Sequence, residues 1–237
     1  MKEKKEGVAR FEEISAPILE DILEFVYTGS VDINDEQNAK DLIIAADYLL
    51  LECLKTFSGR FLEQRLTSSN CISTFHFAEK YKCAELVSNS KKFVHDNFAS
   101  VAKSDEFLNL EAKEVGSWIS SDEISVAAEE DVFNIIEKWI EQNKSDRKAK
   151  FEELFRHVRL VLVSRDFLFD VVTNELVRDS HCLQKVLAAI ELIDYASEDT
   201  LLQSPRRRLR THAIVACGGK YSFCYLPEQD KWKRLAD

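Results

Sequence analysis

Histidine, cysteine and glycine are the residues whose spacing would reveal a metal site, a nucleophile or a phosphate cradle in this chain. The five histidines fall at 76, 95, 157, 181 and 212. None forms the H-x-x-x-H or H-E-x-x-H pair that places two imidazoles on one helical face around a metal. Cys71, His76 and Cys83 lie close in sequence, but a zinc site needs a fourth ligand and tighter spacing, so the metal reading fails and no cofactor is expected. No G-x-S-x-G elbow, Walker loop or G-x-G-x-x-G is present. Gly218-Gly219 lacks the following helix that would point amides at a phosphate. No nucleophile–base pair assembles either, so the sequence reads as a non-enzyme that works through its surfaces.

The six cysteines (53, 71, 83, 182, 217 and 224) include no C-x-x-C pair. Reduced and mostly buried thiols are expected, in cytoplasm or nucleus. The formal charge of −10 disfavours binding to a phosphate backbone, so no nucleic-acid partner is expected. Arg206-Arg207-Arg208-Leu209-Arg210 is too short a basic run to reverse that, and it reads as a solvated linker. No apolar run reaches membrane-span length.

The elements that must position these residues are mostly helices. Gly and Pro number only 6 and 3, which disfavours a full sandwich or propeller. Val8 to Phe11 reads as a short strand. Ser15 to Gly29 reads as a helix with Ser15 as N-cap, Pro17 in its first turn and Gly29 as its stop. Its stripe is Ile18, Leu19, Ile22, Leu23 and Val26. A helix over about 36–50 turns Leu42, Ile43, Ala46, Leu49 and Leu50 inward, and one over about 52–66 presents Leu54, Phe57, Phe61 and Leu62. Further helices follow, most clearly Ala127 to Glu141 with Val132, Phe133, Ile136, Trp139 and Ile140 as its apolar face. These aromatic stripes read as core rather than as a ligand pocket. Ser197 to Arg210 is the best linker, and two strands follow, His212 to Gly219 and Tyr221 to Tyr225.

At Leu19-Glu20-Asp21-Ile22-Leu23-Glu24-Phe25-Val26-Tyr27-Thr28-Gly29 and Asp41-Leu42-Ile43-Ile44-Ala45-Ala46-Asp47-Tyr48-Leu49-Leu50, the chain resembles the C-terminal half of a BTB domain. Asn70 to Ile193 is similar to the helical BACK domain of kelch-like proteins, through Phe107-Leu108-Asn109-Leu110, Trp118-Ile119-Ser120-Ser121-Asp122-Glu123, Trp139-Ile140 and Val158-Arg159-Leu160. The tail, with Gly218, Gly219, Tyr225 and Trp232, resembles the opening of a first kelch repeat. The resemblance implies a mainly α fold: a partial α/β BTB remnant over 1–66, an all-α BACK bundle over 67–195, a linker over 196–210 and a β stub over 211–237. It implies a chain truncated at both ends, without the family's dimer-forming elements and without the propeller that holds a protein substrate.

What this resemblance implies about function is a substrate-specific adaptor of a cullin-3 RING E3 ubiquitin ligase. Such a protein forms a BTB homodimer, grips cullin-3 and supplies no catalytic residue. Met1 and Glu3 match by position the hydrophobic-x-Glu motif of the cullin-facing loop. Tyr48 matches a position near that face, with ordinary helix packing as its other reading. Phe75 extends the groove or sits in the core. An actin-associated kelch scaffold is the alternative function, and a BTB transcriptional regulator a more distant one. The stripe Ile18 to Val26 would pack on absent elements, and its incomplete burial forfeits on the order of 10 kcal/mol.

Overall fold

A computed structural model describes residues 13–195, Arg206, and the backbone of strands at 214–218, 221–226 and 231–234. The expected strand at Val8–Phe11, the motif residues Met1 and Glu3, and Gly219 lie outside the described residues. The fold is mainly helical, and its packing divides it into two units, Met1–Val94 and His95–Asp237.

Among the described residues the first unit contains four helices and most of a fifth. Helix α1 (Ala16–Thr28) begins with Pro in its first turn and stops at Gly29, whose φ of 78° lets its N–H reach back to the Phe25 carbonyl. Ser15 holds the N-cap position but its side chain makes no capping bond. Helix α2 (Glu36–Tyr48) is capped by Asp35, whose carboxylate accepts from the Asn38 N–H at 2.8 Å. Helices α3 (Glu52–Glu63), α4 (Cys71–Lys80) and α5 (Ala84–Asp96) follow, with the division between units in the last turn of α5. Lys82, at φ 54°, turns the chain between α4 and α5.

The stripe on α1 corrects the sequence reading. Ile18 and Ile22 are buried within this unit, in one core with Val31, Leu42, Ala45, Ala46 and Leu54. Leu19 is half-buried, whereas Leu23 and Val26 point outward. The inward side of the helix is therefore Ile18, Ile22 and the partly buried Phe25, and Leu23 and Val26 lie off it. Leu50 also departs from the expectation, being 82% exposed. Helix α2 ends two residues earlier, and Leu50 takes a φ of 58° that swings its side chain off the inward face. Phe57 is more exposed than expected, its ring 5.5 Å from that of Phe25.

In the second unit the bundle comprises α6 (Phe98–Val101), α7 (Asp105–Leu108), α8 (Ala112–Ser120), α9 (Glu130–Glu141), α10 (Lys144–Arg147), α11 (Phe151–Phe155), α12 (Arg165–Thr173), α13 (Glu175–Arg178) and α14 (Cys182–Tyr195). Helix α9 buries Val132, Phe133, Ile136, Trp139 and Ile140, the five residues its periodicity selects. Phe133 packs edge-on against Phe151, Phe155 and Phe167. The antiparallel strands β1 (Ile214–Gly218), β2 (Tyr221–Leu226) and β3 (Lys231–Arg234) form one sheet in that order. Tyr225 lies in the central strand, in register with Ile214 on one side and Trp232 on the other, and Gly218 pairs with Tyr221.

Arg206 overturns the reading of the basic run as a solvated linker, at that residue. It is 4% exposed and ion-paired with Glu129, because acceptors from distant segments converge on its guanidinium.

Candidate protein-interaction surface

Helix α2 positions the first unit's candidate residues. Its N-terminal end is tied to α4 where the Asn70 amide donates to Glu36 at 3.1 Å. Its middle shares a core with α4 and α5 through Ala39, Ile43, Ala78, Cys83 and Leu86. Lys40 lies 5.9 Å over the Phe77 ring. The Asn38 amide donates to Asp21 of α1 at 3.0 Å. Tyr48 stands at the other end of α2, about 18 Å from Glu36 at 1.5 Å per residue, and is 62% exposed.

Phe75 lies in α4 and is half-buried, its ring 5.7 Å from that of His76. Tyr48 therefore belongs to the C-terminal end of α2, while α4 begins beside its N-terminal end. Among the kelch-motif residues, Tyr225 and Trp232 are brought opposite one another in the sheet, and Gly218 ends β1.

Two further features carry no local sequence signal. The first is a set of large apolar side chains left exposed on α1 (Leu23, Val26, Tyr27), on α2 (Ile44, Tyr48) and just after α2 (Leu50). The second is a groove of about 270 Å³ between α3 and the start of α5, lined by Glu52, Lys55, Gly59, Arg60, Cys83 and Glu85 among others. Lys55 is buried, and its ammonium donates to Asp47 at 2.9 Å and Glu52 at 3.4 Å. The bond to Asp47 leads the effects that raise its pKa.

Among the described residues no three His, Cys, Asp or Glu side chains stand together as metal ligands. Cys71 and Cys83 are buried and turn their sulfurs to the carbonyls of Ser68 and Tyr81. No helix among the described residues is long and apolar enough to cross a membrane. Large exposed aromatic and aliphatic side chains such as Tyr27, Tyr48 and Leu50 are of the types that protein contacts use.

The comparisons with known proteins agree with this class. Residues 1–66 match the family model of the BTB/POZ domain, and residues 71–173 match that of BACK, "BTB And C-terminal Kelch". A BTB domain is in general a protein–protein interaction and dimerisation module. Human Kelch-like protein 2 is 31% identical over 253 aligned residues, covering 100% of this chain and 42% of the relative. Human Kelch-like protein 3 is 28% identical over 253, covering 100% and 43%. Mouse Kelch-like protein 28 is 31% identical over 249, covering 100% and 43%. The chain belongs to the BTB–BACK kelch-like family. It spans less than half the length of these curated relatives.

Proposed function

We propose that this chain is the BTB–BACK part of a substrate-specific adaptor for a cullin-3 RING E3 ubiquitin ligase, acting in the cytoplasm. The observation that carries the reading is the succession of BTB and BACK matches, in that order, along a chain similar to kelch-like proteins throughout its length. In this reading the first unit grips cullin-3 through Met1, Glu3, Tyr48 and Phe75. The strands containing Gly218, Tyr225 and Trp232 lead into a substrate-holding propeller. The protein supplies no catalytic residue, and it accelerates transfer by raising the effective concentration of substrate beside the recruited ubiquitin-conjugating enzyme.

The exposure of Tyr48 supports its assignment, because a large aromatic at a surface is the type of residue that anchors interfaces. Calorimetry of the purified chain against the N-terminal domain of cullin-3 tests the reading. Binding is expected, weakened at least about tenfold by Tyr48→Ala, as for an interface anchor, and abolished by Glu3→Lys. A folded chain that does not bind cullin-3 overturns the assignment and favours an actin-associated scaffold.

A further inference from the structure

The second unit contains a polar site that neither the family matches nor the proposed adaptor role assigns. Its centre is Glu129, at the N-cap position of α9 and buried. Both carboxylate oxygens of Glu129 accept from the Arg206 Nε–H, at 3.1 and 2.9 Å. One terminal nitrogen of Arg206 donates to the carbonyls of Ile119 and Ser121, at the C-terminal end of α8. The other donates to the carbonyl of His157. Glu129 is itself held in place by the Arg159 backbone N–H, at 3.0 Å.

This arrangement is specific for a planar fork of donors. Four acceptor groups from three separate segments surround one guanidinium, and the side chains of the ion pair are 1% and 4% exposed. An ammonium has three donors in a different geometry and no plane. Helix α8 adds favourable electrostatics, since two of the carbonyls come from its C-terminal end, where partial negative charge gathers. A buried ion pair is weak evidence of added stability, and setting register is its best-attested use.

The position of Arg206 in the chain gives the site a consequence. Nineteen residue steps separate Tyr195, the end of α14, from Ile214, the start of β1, and eight separate Arg206 from Ile214. At roughly 3.4 Å per extended residue, anchoring Arg206 cuts the reach of the sheet's tether from about 65 Å to about 27 Å. We propose that the BACK region carries a guanidinium-binding socket, formed by Glu129 and the carbonyls of Ile119, Ser121 and His157, which captures Arg206 and clamps the chain where it leaves for the β segment. The ligand is an arginine side chain, and the occupant is a named residue of this same chain. The selection of position 206 from a run that also holds Arg207, Arg208 and Arg210 sets the register of everything that follows.

Chemical rescue in the full chain tests this. Arg206→Ala empties the socket, and methylguanidinium at millimolar concentration, below denaturing levels, is the probe. The expected result is a rise in the thermal midpoint of Arg206→Ala that wild type does not show and that Arg206→Ala/Glu129→Gln loses. Hydrogen exchange of the peptide spanning residue 206 should quicken by at least about tenfold in Arg206→Ala and stay fast after rescue, because the probe refills the site without reconnecting the chain. An equal effect of methylguanidinium on all three proteins overturns the proposal, as does unchanged exchange around residue 206. Arg206→Met/Glu129→Met removes both charges and guards against a variant that fails to fold. It should recover stability yet keep the fast exchange, whereas an ion pair of purely structural importance would restore both together.

Discussion

The indole N–H of Trp139 donates to the Leu110 carbonyl at 3.0 Å, joining helix α9 to a segment twenty-nine residues earlier. Arg147 closes the same knot, its guanidinium 4.2 Å over the Trp139 ring and donating to the carbonyls of Leu108 and Trp139 at 2.8 Å each. Both segments are among those that resemble a BACK domain in the sequence, and this contact is what they do together. Trp139→Phe keeps most of the apolar volume but strands the Leu110 carbonyl, so a loss of about 1–3 kcal/mol is expected. Urea unfolding should show a lower midpoint with an unchanged slope. A variant as stable as wild type would remove this bond from the account of the bundle.

An exposed pair of lysines sets up an acid response. Hydrogen bonds from Lys144 and Lys148 are the leading causes that bring the Glu175 carboxyl from 4.5 down to about 2. A lowered folded-state pKa means that its stabilisation is complete above about pH 4.5 and drains away as the pH falls towards 2. The thermal midpoint of wild type should exceed that of Glu175→Gln near pH 6, and the gap should close across that window. Because the group is at the surface, molar salt should shrink the gap at every pH. A gap that does not vary with pH would rule out the linkage.

Thiol reactivity should separate the described cysteines. Cys53 is exposed, whereas Cys71, Cys83 and Cys182 are buried. Burial is the first cause pushing the Cys83 and Cys182 thiols up, which lowers their thiolate fraction further. Mass-mapped alkylation of the native chain at pH 8 should modify Cys53 at least about tenfold faster than these three. Uniform rates across the four would show that the helices open more readily than their packing implies.

The sequence revealed most where the signal is local. Pro17 and Gly29 bracket α1, and the apolar spacing of α9 names every residue that it buries. Leu50 escaped because the end of a helix is decided by backbone geometry, here a left-handed residue, and not by the continuing apolar pattern. Leu23 and Val26 sit within the same periodic stripe as Ile22, and only the placement of Leu42 and Leu54 decides which line of α1 faces inward. The burial of Arg206 has no local signal at all. Its acceptors lie between 49 and 87 residues away, so nothing near it in sequence separates a buried arginine from a solvated one. Tyr48 and Phe75 stand out only through the family resemblance, and the packing sets one on an exposed helix end and the other in a half-buried position.

Two residues of α1 provide a direct measure of that packing. Ile22 is 3% exposed and Val26 is 57% exposed, although the two lie one helical turn apart. Ile22→Ala opens a cavity against Val31, Leu42 and Leu54 and should cost about 2–5 kcal/mol. Val26→Lys replaces an exposed apolar group with a solvated one and should change stability by no more than about 0.5 kcal/mol. Chemical denaturation of both variants at several protein concentrations makes the comparison. A large loss for Val26→Lys that grows with protein concentration would mean that a second copy covers this face in solution, since association stabilises the folded chain by mass action. A negligible loss at all concentrations would mean that α1 is held by the Ile18–Ile22 line alone.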